Sequence, residues 1–145
     1  MKKYLKNQNG ASAVEFAILL PVLVALVCGV IEIGMLLYNQ QVLTNASREG
    51  ARAAIIGECA DRLTNEQIGT IVTDYCTGRL VSLGGANTPP TTTVTPSPSG
   101  CTSGVGDDVS VTAQYTYTFL VPAVLGFGPT RLLSAATVMK MESNP

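Results

Sequence analysis

Glu15 stands at the edge of a long apolar stretch and is the first residue of this sequence that calls for a chemical explanation. It lies five residues after Gly10 and directly before Phe16, and no residue from Phe16 to Ile31 is an acid or a base that is charged at neutral pH. A carboxylate carried into lipid is costly unless a cation neutralises it. Glu15 therefore either stays at the level of the lipid headgroups or pairs with a positive group of another molecule.

The rest of the sequence offers little for catalysis. It contains no histidine, which excludes Ser-His-Asp and Cys-His mechanisms and every His-ligated metal site. Only 13% of the residues are charged and the net charge is −1, so no long-range field attracts nucleic acid. We therefore predict that the protein is not an enzyme and that it uses no cofactor and no metal.

The element that positions Glu15 is a predicted membrane-spanning helix at residues 16–38. These 23 residues contain one side chain that is charged at neutral pH, Glu32, and as a helix they extend about 35 Å, enough for a hydrocarbon core of ~30 Å. The first ten residues carry three lysines and no acid, and the positive-inside bias places them in the cytoplasm. A cleaved secretory signal is not favoured, because the apolar run is too long and ends without a small-x-small site.

Two residues interrupt the apolar helix. Pro21 lacks a backbone N–H, which predicts either a tolerated kink or a hinge for leaving the bilayer. Glu32 lies about five turns after Glu15. For Glu32 we favour a snorkelling position at the headgroups over a second buried partner between subunits.

The helix is predicted to continue out of the membrane as far as Gly57. Apolar and small side chains recur at threes and fours on one face, with Asn39, Arg48 and Arg52 expected opposite. One helix over residues 12–57 would be about 68 Å long. We expect so long a rod to pack on other rods, with Gly50 and Ala51 permitting close approach.

Residues 58–145 are predicted to form a small head. Thr64 and Gln67 form a capping box that opens a short amphipathic helix. Residues 84–106, rich in Gly, Pro, Ser and Thr, indicate a flexible loop around a short strand at 91–95. Alternating apolar and polar residues predict a strand at 109–119, with its aromatic side chains in the core, and a partner strand at 132–141. The fold class is therefore α+β, with a long N-terminal helix, a short second helix and an antiparallel sheet of about three strands.

The cysteines divide by location. Cys28 lies in the apolar helix and is expected to act as a small buried hydrophobe. The other three are in the head, which faces an oxidising compartment if the orientation is right. Cys76 falls on the apolar face of the short helix, and its disulfide partner is either Cys59 or Cys101.

The N-terminal residues resemble a known signal. Gly10, four small or apolar residues, Glu15 and Phe16 before a spanning helix resemble the class 3 signal of type IV pilins, in the form used by the Tad/Flp pilus system. The stretch from Val14 to Arg52 is similar to TadE-like minor pilins or pseudopilins, and the TadF type has a similar plan. The positions that carry this likeness include Pro21 and the run Arg48, Glu49, Gly50, Ala51 and Arg52.

The resemblance implies how the chain is processed and assembled. A prepilin peptidase would cut the leader, residues 1–10, after Gly10 and make Ala11 the new amino terminus. Glu15 would then pair with the α-amino group of Ala11 in a neighbouring subunit. The remaining chain would consist of a helix at 11–57 and a periplasmic or extracellular head at 58–145.

The resemblance also implies a location, partners and a role. The protein would be a single-pass protein of the bacterial inner membrane with a cytoplasmic N-terminus, and it would also enter or support the surface pilus. Its partners would be the prepilin peptidase, the inner-membrane Tad platform proteins, the Flp major pilin and other pilin-like subunits. Its role would be to initiate, cap or stabilise a pilus that serves adhesion and colonisation.

Two other interpretations stay open at this point. The chain fits a filament-forming pilin, or a pseudopilin of a related secretion system. It also fits a plain single-pass membrane protein with a ligand-binding head. An amino terminus at Ala11 supports pilin processing, whereas one at Met1 favours the plain anchor.

Overall fold

The computed structural model describes residues 8–56, 61–98, 106–120 and 128–141. Two helices are followed by three strands, and the predicted α+β class is confirmed. The first strand has the predicted ends, and the ends of the other two strands differ from the predicted ones by one or two residues. The elements are α1 (Gln8–Ile55), α2 (Asn65–Cys76), β1 (Thr91–Thr95), β2 (Asp108–Thr118) and β3 (Thr130–Lys140).

The long helix α1 has two halves with different surroundings. From Gly10 to Val24 every residue is exposed, although most of the side chains are apolar. From Glu32 onward, one face of the helix is covered by α2 and the sheet. Among the described residues, α1 is the one helix long and apolar enough to cross a membrane. It continues through Pro21 without a break, so the hinge at this residue stays a prediction.

The three strands form one antiparallel sheet in the order β1-β2-β3. In the β2–β3 hairpin, Asp108 is opposite Lys140 and Thr118 is opposite Thr130. Alternate residues of β2 are buried, as the period of two in the sequence predicts. The predicted core position of the aromatic side chains is confirmed for Tyr115, Tyr117 and Phe119.

The short helix α2 begins with the predicted capping box. The Gln67 N–H donates to Thr64 Oγ1 at 3.3 Å, and the Thr64 N–H donates to Gln67 Oε1 at 2.9 Å. These contacts satisfy two of the N–H groups that a helix start leaves without a partner. The apolar face of α2 then buries Ile68, Val72 and Cys76.

The hairpin lies along the second half of α1. Strand β3 runs in the same direction as α1, as two side-chain contacts show. Gln40 Nε2 donates to the Ser134 carbonyl at 2.9 Å, and further along both elements Ser47 Oγ lies 2.8 Å from Thr137 Oγ1. An 11-residue strand extends about 37 Å, close to the ~36 Å of the helix from residue 32 to residue 55. The expectation that this half of the rod packs on other rods is therefore wrong for its buried face, because the head is long enough to cover it.

Asn39 lies on the buried face of α1, and its predicted position on the polar face is wrong. Its side chain is completely buried, whereas Leu37 is 59% exposed. Asn39 Nδ2 donates to the Val81 carbonyl at 2.6 Å, and the Val81 N–H donates to Asn39 Oδ1 at 3.0 Å. A primary amide can satisfy both polar groups of one residue. The burial of Asn39 is thus compensated, and the chain after α2 is fixed to α1.

Gly50 and Ala51 permit close approach within the chain itself. A Cβ atom at Gly50 would lie 2.6 Å from Val72 Cγ2 and 3.2 Å from Val111 Cγ1. Ala51 is fully buried in the same core. The small residues of α1 thus let α2 and the sheet of this chain pack closely against its backbone.

The predicted disulfide at Cys76 is not supported. Cys76 is a free thiol packed in the core, and burial raises its pKa although the positive charge of Arg79 opposes the change. It fills space as a small hydrophobic side chain. Cys28 is also a free thiol and is half-buried, whereas Cys59 and Cys101 lie outside the described residues.

The substitution Gly50→Ala is expected to destabilise the fold, because the new methyl group would overlap Val72 and overpacking costs about 1–3 kcal/mol. Gly34→Ala is the matched control in the same helix, since nothing lies within 4 Å of its added Cβ. Alanine at position 34 gains helix propensity of roughly 0.5–1 kcal/mol. Thermal unfolding of the detergent-solubilised protein, followed by circular dichroism, should show a lower Tm for Gly50→Ala only. Equal values of Tm for the two variants would contradict the packing described at Gly50.

Candidate assembly site

The residues predicted for processing and charge pairing lie together on the exposed half of α1. Gly10, Ala11, Glu15 and Phe16 occupy two successive turns of the helix, and Pro21 follows one turn later. The Phe16 side chain is 61% exposed, and nothing lies within 4 Å of a Cβ placed on Gly10. This part of the helix is therefore open to contact from outside the chain.

Glu15 is a lone carboxylate on an apolar rod. Within the part of the chain that the structure describes, it forms neither a hydrogen bond nor an ion pair. Ala11 is four residues earlier and lies on the same helix face. The surface that surrounds Glu15 consists of large exposed apolar side chains, among them Val14, Ile18, Leu19, Val22 and Leu23. Such a surface can pack against lipid or against another apolar helix, with one charge that needs a positive partner.

Glu32 marks the point where the head meets the helix, and its predicted place among the headgroups is wrong. Its side chain is only 2% exposed, and its Oε1 accepts a hydrogen bond from the backbone N–H of Leu120, just after β2. The carboxylate is buried within its own chain because the end of the hairpin lies over it. The sequence does contain a signal for this, since residues 32, 39, 43, 46 and 50 follow one another at helical spacing.

Aromatic side chains surround this junction. The rings of Tyr117 and Phe119 are 5.2 Å apart and meet edge to face at 81°. Burial, followed by the negative charge of Glu32, raises the pKa of the Tyr117 phenol. The Tyr117 hydroxyl is buried without a hydrogen-bond partner among the described residues. The junction is therefore a mostly apolar contact that holds one buried acid.

The five consecutive residues from Arg48 to Arg52, here called the signature positions, divide into two sets. Gly50 and Ala51 are buried against the head, whereas Arg48, Glu49 and Arg52 are exposed. In the described part of the chain none of these three charged residues forms an ion pair. The first set builds the fold, and the second set is free to contact other molecules.

No metal centre is found within the described ranges. They contain no group of three or more His, Cys, Asp or Glu side chains that could hold an ion. The site is defined by its surfaces: an exposed apolar half-helix with one acid, a junction at Glu32, and exposed charges toward the end of α1.

Replacing Glu32 by alanine is expected to weaken the junction, because the Leu120 N–H would lose its acceptor in a partly buried place, at a cost of about 1 kcal/mol. Glu32→Gln keeps an oxygen acceptor and should retain much of the contact. Glu49→Ala removes an exposed acid of the same helix and should have no effect. Hydrogen exchange in detergent should show faster exchange of the Leu120 amide in Glu32→Ala than in the other two. Unchanged exchange in Glu32→Ala would mean that this contact does not hold the head to the helix.

Comparison with known proteins gives one result. Residues 10–52 match the family model described as TadE-like protein, whereas no curated protein and no solved structure matches the chain. The matched segment begins at Gly10 and includes Glu15, the buried Glu32 and both sets of signature positions. It ends within α1, and α2 and the sheet lie beyond it. The N-terminal helix, with its exposed apolar half and its lone acid, is therefore the part of this chain that is similar to the TadE-like family.

Proposed function

We propose that this protein is a pilin-like structural subunit of the Tad/Flp pilus assembly and secretion machinery. The observation that carries the proposal is the exposed apolar half of α1, which bears Glu15 and lies within the residues matched to the TadE-like family. An apolar rod that its own head leaves bare needs lipid or other apolar helices around it. A structural role in the membrane and in an assembly of helices meets that need without any catalytic function.

The proposed location is the bacterial inner membrane, with the N-terminus in the cytoplasm and the head on the other side. The contact of Glu32 with Leu120 supports a membrane segment that ends near residue 31, earlier than the predicted end at 38. Residues 10–31 extend about 33 Å as a helix, which suits a hydrocarbon core of ~30 Å. The exposed apolar side chains of this segment, such as Leu23 and Leu26, would then face lipid.

Processing by a prepilin peptidase after Gly10 is the first proposed step. Gly10 is the first residue of the family match, and its surroundings are open. Cleavage would leave the apolar helix attached to the head and give Ala11 a positive α-amino group. The cut thus creates a cation on the same helix face as Glu15, one turn away.

Assembly would then use the carboxylate of Glu15. We propose that it pairs with the Ala11 amino group of a neighbouring subunit while Phe16 and the apolar side chains around it pack between helices. A carboxylate between apolar helices is stable only when a positive group neutralises it, so only those arrangements of neighbouring subunits that bring such a group to Glu15 are favoured. Through this pairing the protein would initiate, cap or stabilise a pilus that contains the Flp major pilin, with Pro21 as a hinge.

The exposed charges near the end of α1 provide a second proposed contact surface. Arg48, Glu49 and Arg52 lie on the side of α1 that faces away from the head. There they would meet the inner-membrane Tad platform proteins or other pilin-like subunits. Charges of both signs on one face favour a specific partner and orientation more than high affinity.

Replacing Gly10 by a bulky residue, as in Gly10→Phe, should block maturation, because the peptidase would meet a side chain where the cut is proposed. The uncut form should accumulate in the membrane fraction, and sequencing of its amino terminus should give Met1 in place of Ala11. Gly34→Phe places the same side chain at an exposed position of the same helix and should leave maturation unchanged. Normal maturation of Gly10→Phe would refute the cleavage site.

Replacing Glu15 by leucine should separate insertion from assembly. The variant should be inserted and processed, because the helix becomes more apolar, yet the number of pili per cell should fall at least tenfold, since the charge pairing is lost. Glu66→Leu removes an exposed acid from the head and should leave the count unchanged. Pilus counts by electron microscopy test this difference, and an unchanged count for Glu15→Leu would remove Glu15 from the mechanism.

A further inference from the structure

An apolar cavity lies at the end of the head that is nearest to the exposed half of α1. Its volume is about 300 Å³, and it is lined by Ile33, Leu36, Phe119 and Arg131. The first two residues belong to α1, and the other two follow β2 and begin β3. The cavity is thus bounded by the helix on one side and, on the other, by the end of the hairpin at which β2 leads into β3.

The cavity lies next to the Glu32 junction, and this fixes its position along the axis of α1. Ile33 follows Glu32 directly, and Leu36 is one turn further on. Both lie within about 8 Å of residue 31 along the helix axis. If α1 spans the membrane as proposed above, the cavity opens at the boundary between the acyl chains and the headgroups.

Among the described residues that line the cavity, Arg131 is the one charged side chain, and it is exposed. Arg131 forms no ion pair within the described residues. The basic residue at the other end of the same strand does have an acidic partner, because Lys140 Nζ lies 3.3 Å from Asp108 Oδ1. A guanidinium beside apolar walls suits a ligand with an anionic phosphate and an apolar tail.

We propose that this cavity binds a phospholipid of the surrounding membrane. One acyl chain lies against Ile33, Leu36 and Phe119, and the headgroup phosphate is bound by Arg131. A lipid with a net negative headgroup, such as phosphatidylglycerol, binds better than zwitterionic phosphatidylcholine, because Arg131 is the one charged side chain among the described residues of the lining. The lipid extends the apolar contact between the head and the bilayer beyond α1 itself.

The test uses the absence of tryptophan from the chain, since a single introduced indole is then the only one present. Leu36→Trp places the probe in the cavity lining, and Leu37→Trp places it one residue later on an exposed part of the helix. The full-length protein is reconstituted in vesicles whose phosphatidylglycerol carries bromine on its acyl chains. We expect at least twofold stronger quenching for Trp at 36 than at 37. Quenching at 37 equal to or stronger than at 36 would overturn the lipid site.

A third variant separates this proposal from the proposed function on which it rests. Leu23→Trp reports only whether α1 is inserted, because position 23 lies in the exposed apolar half. Strong quenching at 23 without preference for 36 over 37 overturns the lipid site and leaves the membrane helix intact. Protection of Trp at 36 that grows with the protein-to-lipid ratio would assign the cavity to a second copy, and would also overturn the proposal.

The role of the Arg131 charge is tested on the protein without an introduced tryptophan. Native mass spectrometry of the detergent-solubilised protein with added phosphatidylglycerol or phosphatidylcholine counts the lipids retained. Arg131→Gln should lower retention of phosphatidylglycerol at least threefold, whereas Lys140→Gln, on the same strand, should not change it. Equal retention by all three chains, or no preference between the two lipids, would show that Arg131 does not bind a headgroup.

Discussion

The contact between the buried Glu32 carboxylate and the backbone N–H of Leu120 is the constraint on which the rest of this structure depends. A buried acid is costly unless it is hydrogen-bonded, so the hairpin and the helix are favoured in the one alignment that provides the donor. That alignment determines which part of α1 the head covers. The residues from Gly10 to Val24 are left to the surroundings, and from Glu32 onward one face of the helix lies in the core.

The division of α1 explains why one helix can serve two environments. Its first half has the composition of a membrane helix and no intramolecular cover, whereas its second half contributes Leu43, Ala46 and Gly50 to a close-packed core. Small side chains in that core bring the backbone near α2 and the sheet. The charged signature residues remain outside, where a partner can reach them.

The sequence predicted those elements whose signals are local. The alternation in β2 and the capping box at Thr64 depend on neighbouring residues alone, and both were confirmed. Asn39 and Glu32 were assigned to the wrong surroundings because their partners, Val81 and Leu120, are 42 and 88 residues away. A prediction from the polarity of neighbouring residues assigns such side chains to solvent. It cannot reveal a backbone group, distant in sequence, whose hydrogen bond compensates the cost of burying them. For Glu15 the sequence motif and the exposed helix agree, but its partner would belong to another molecule.

The direction of β3 relative to α1 has a mechanical consequence. Because the two elements run in the same direction along the covered half of the helix, a pull along the helix axis acts parallel to the strands. The ladder hydrogen bonds between antiparallel strands are perpendicular to that direction, so the pull loads them in shear and many of them resist it together. If this head were part of a filament, tension along the filament would act in the direction in which the head resists deformation most. A force across the strands would instead break the ladder hydrogen bonds one after another from one end of the hairpin.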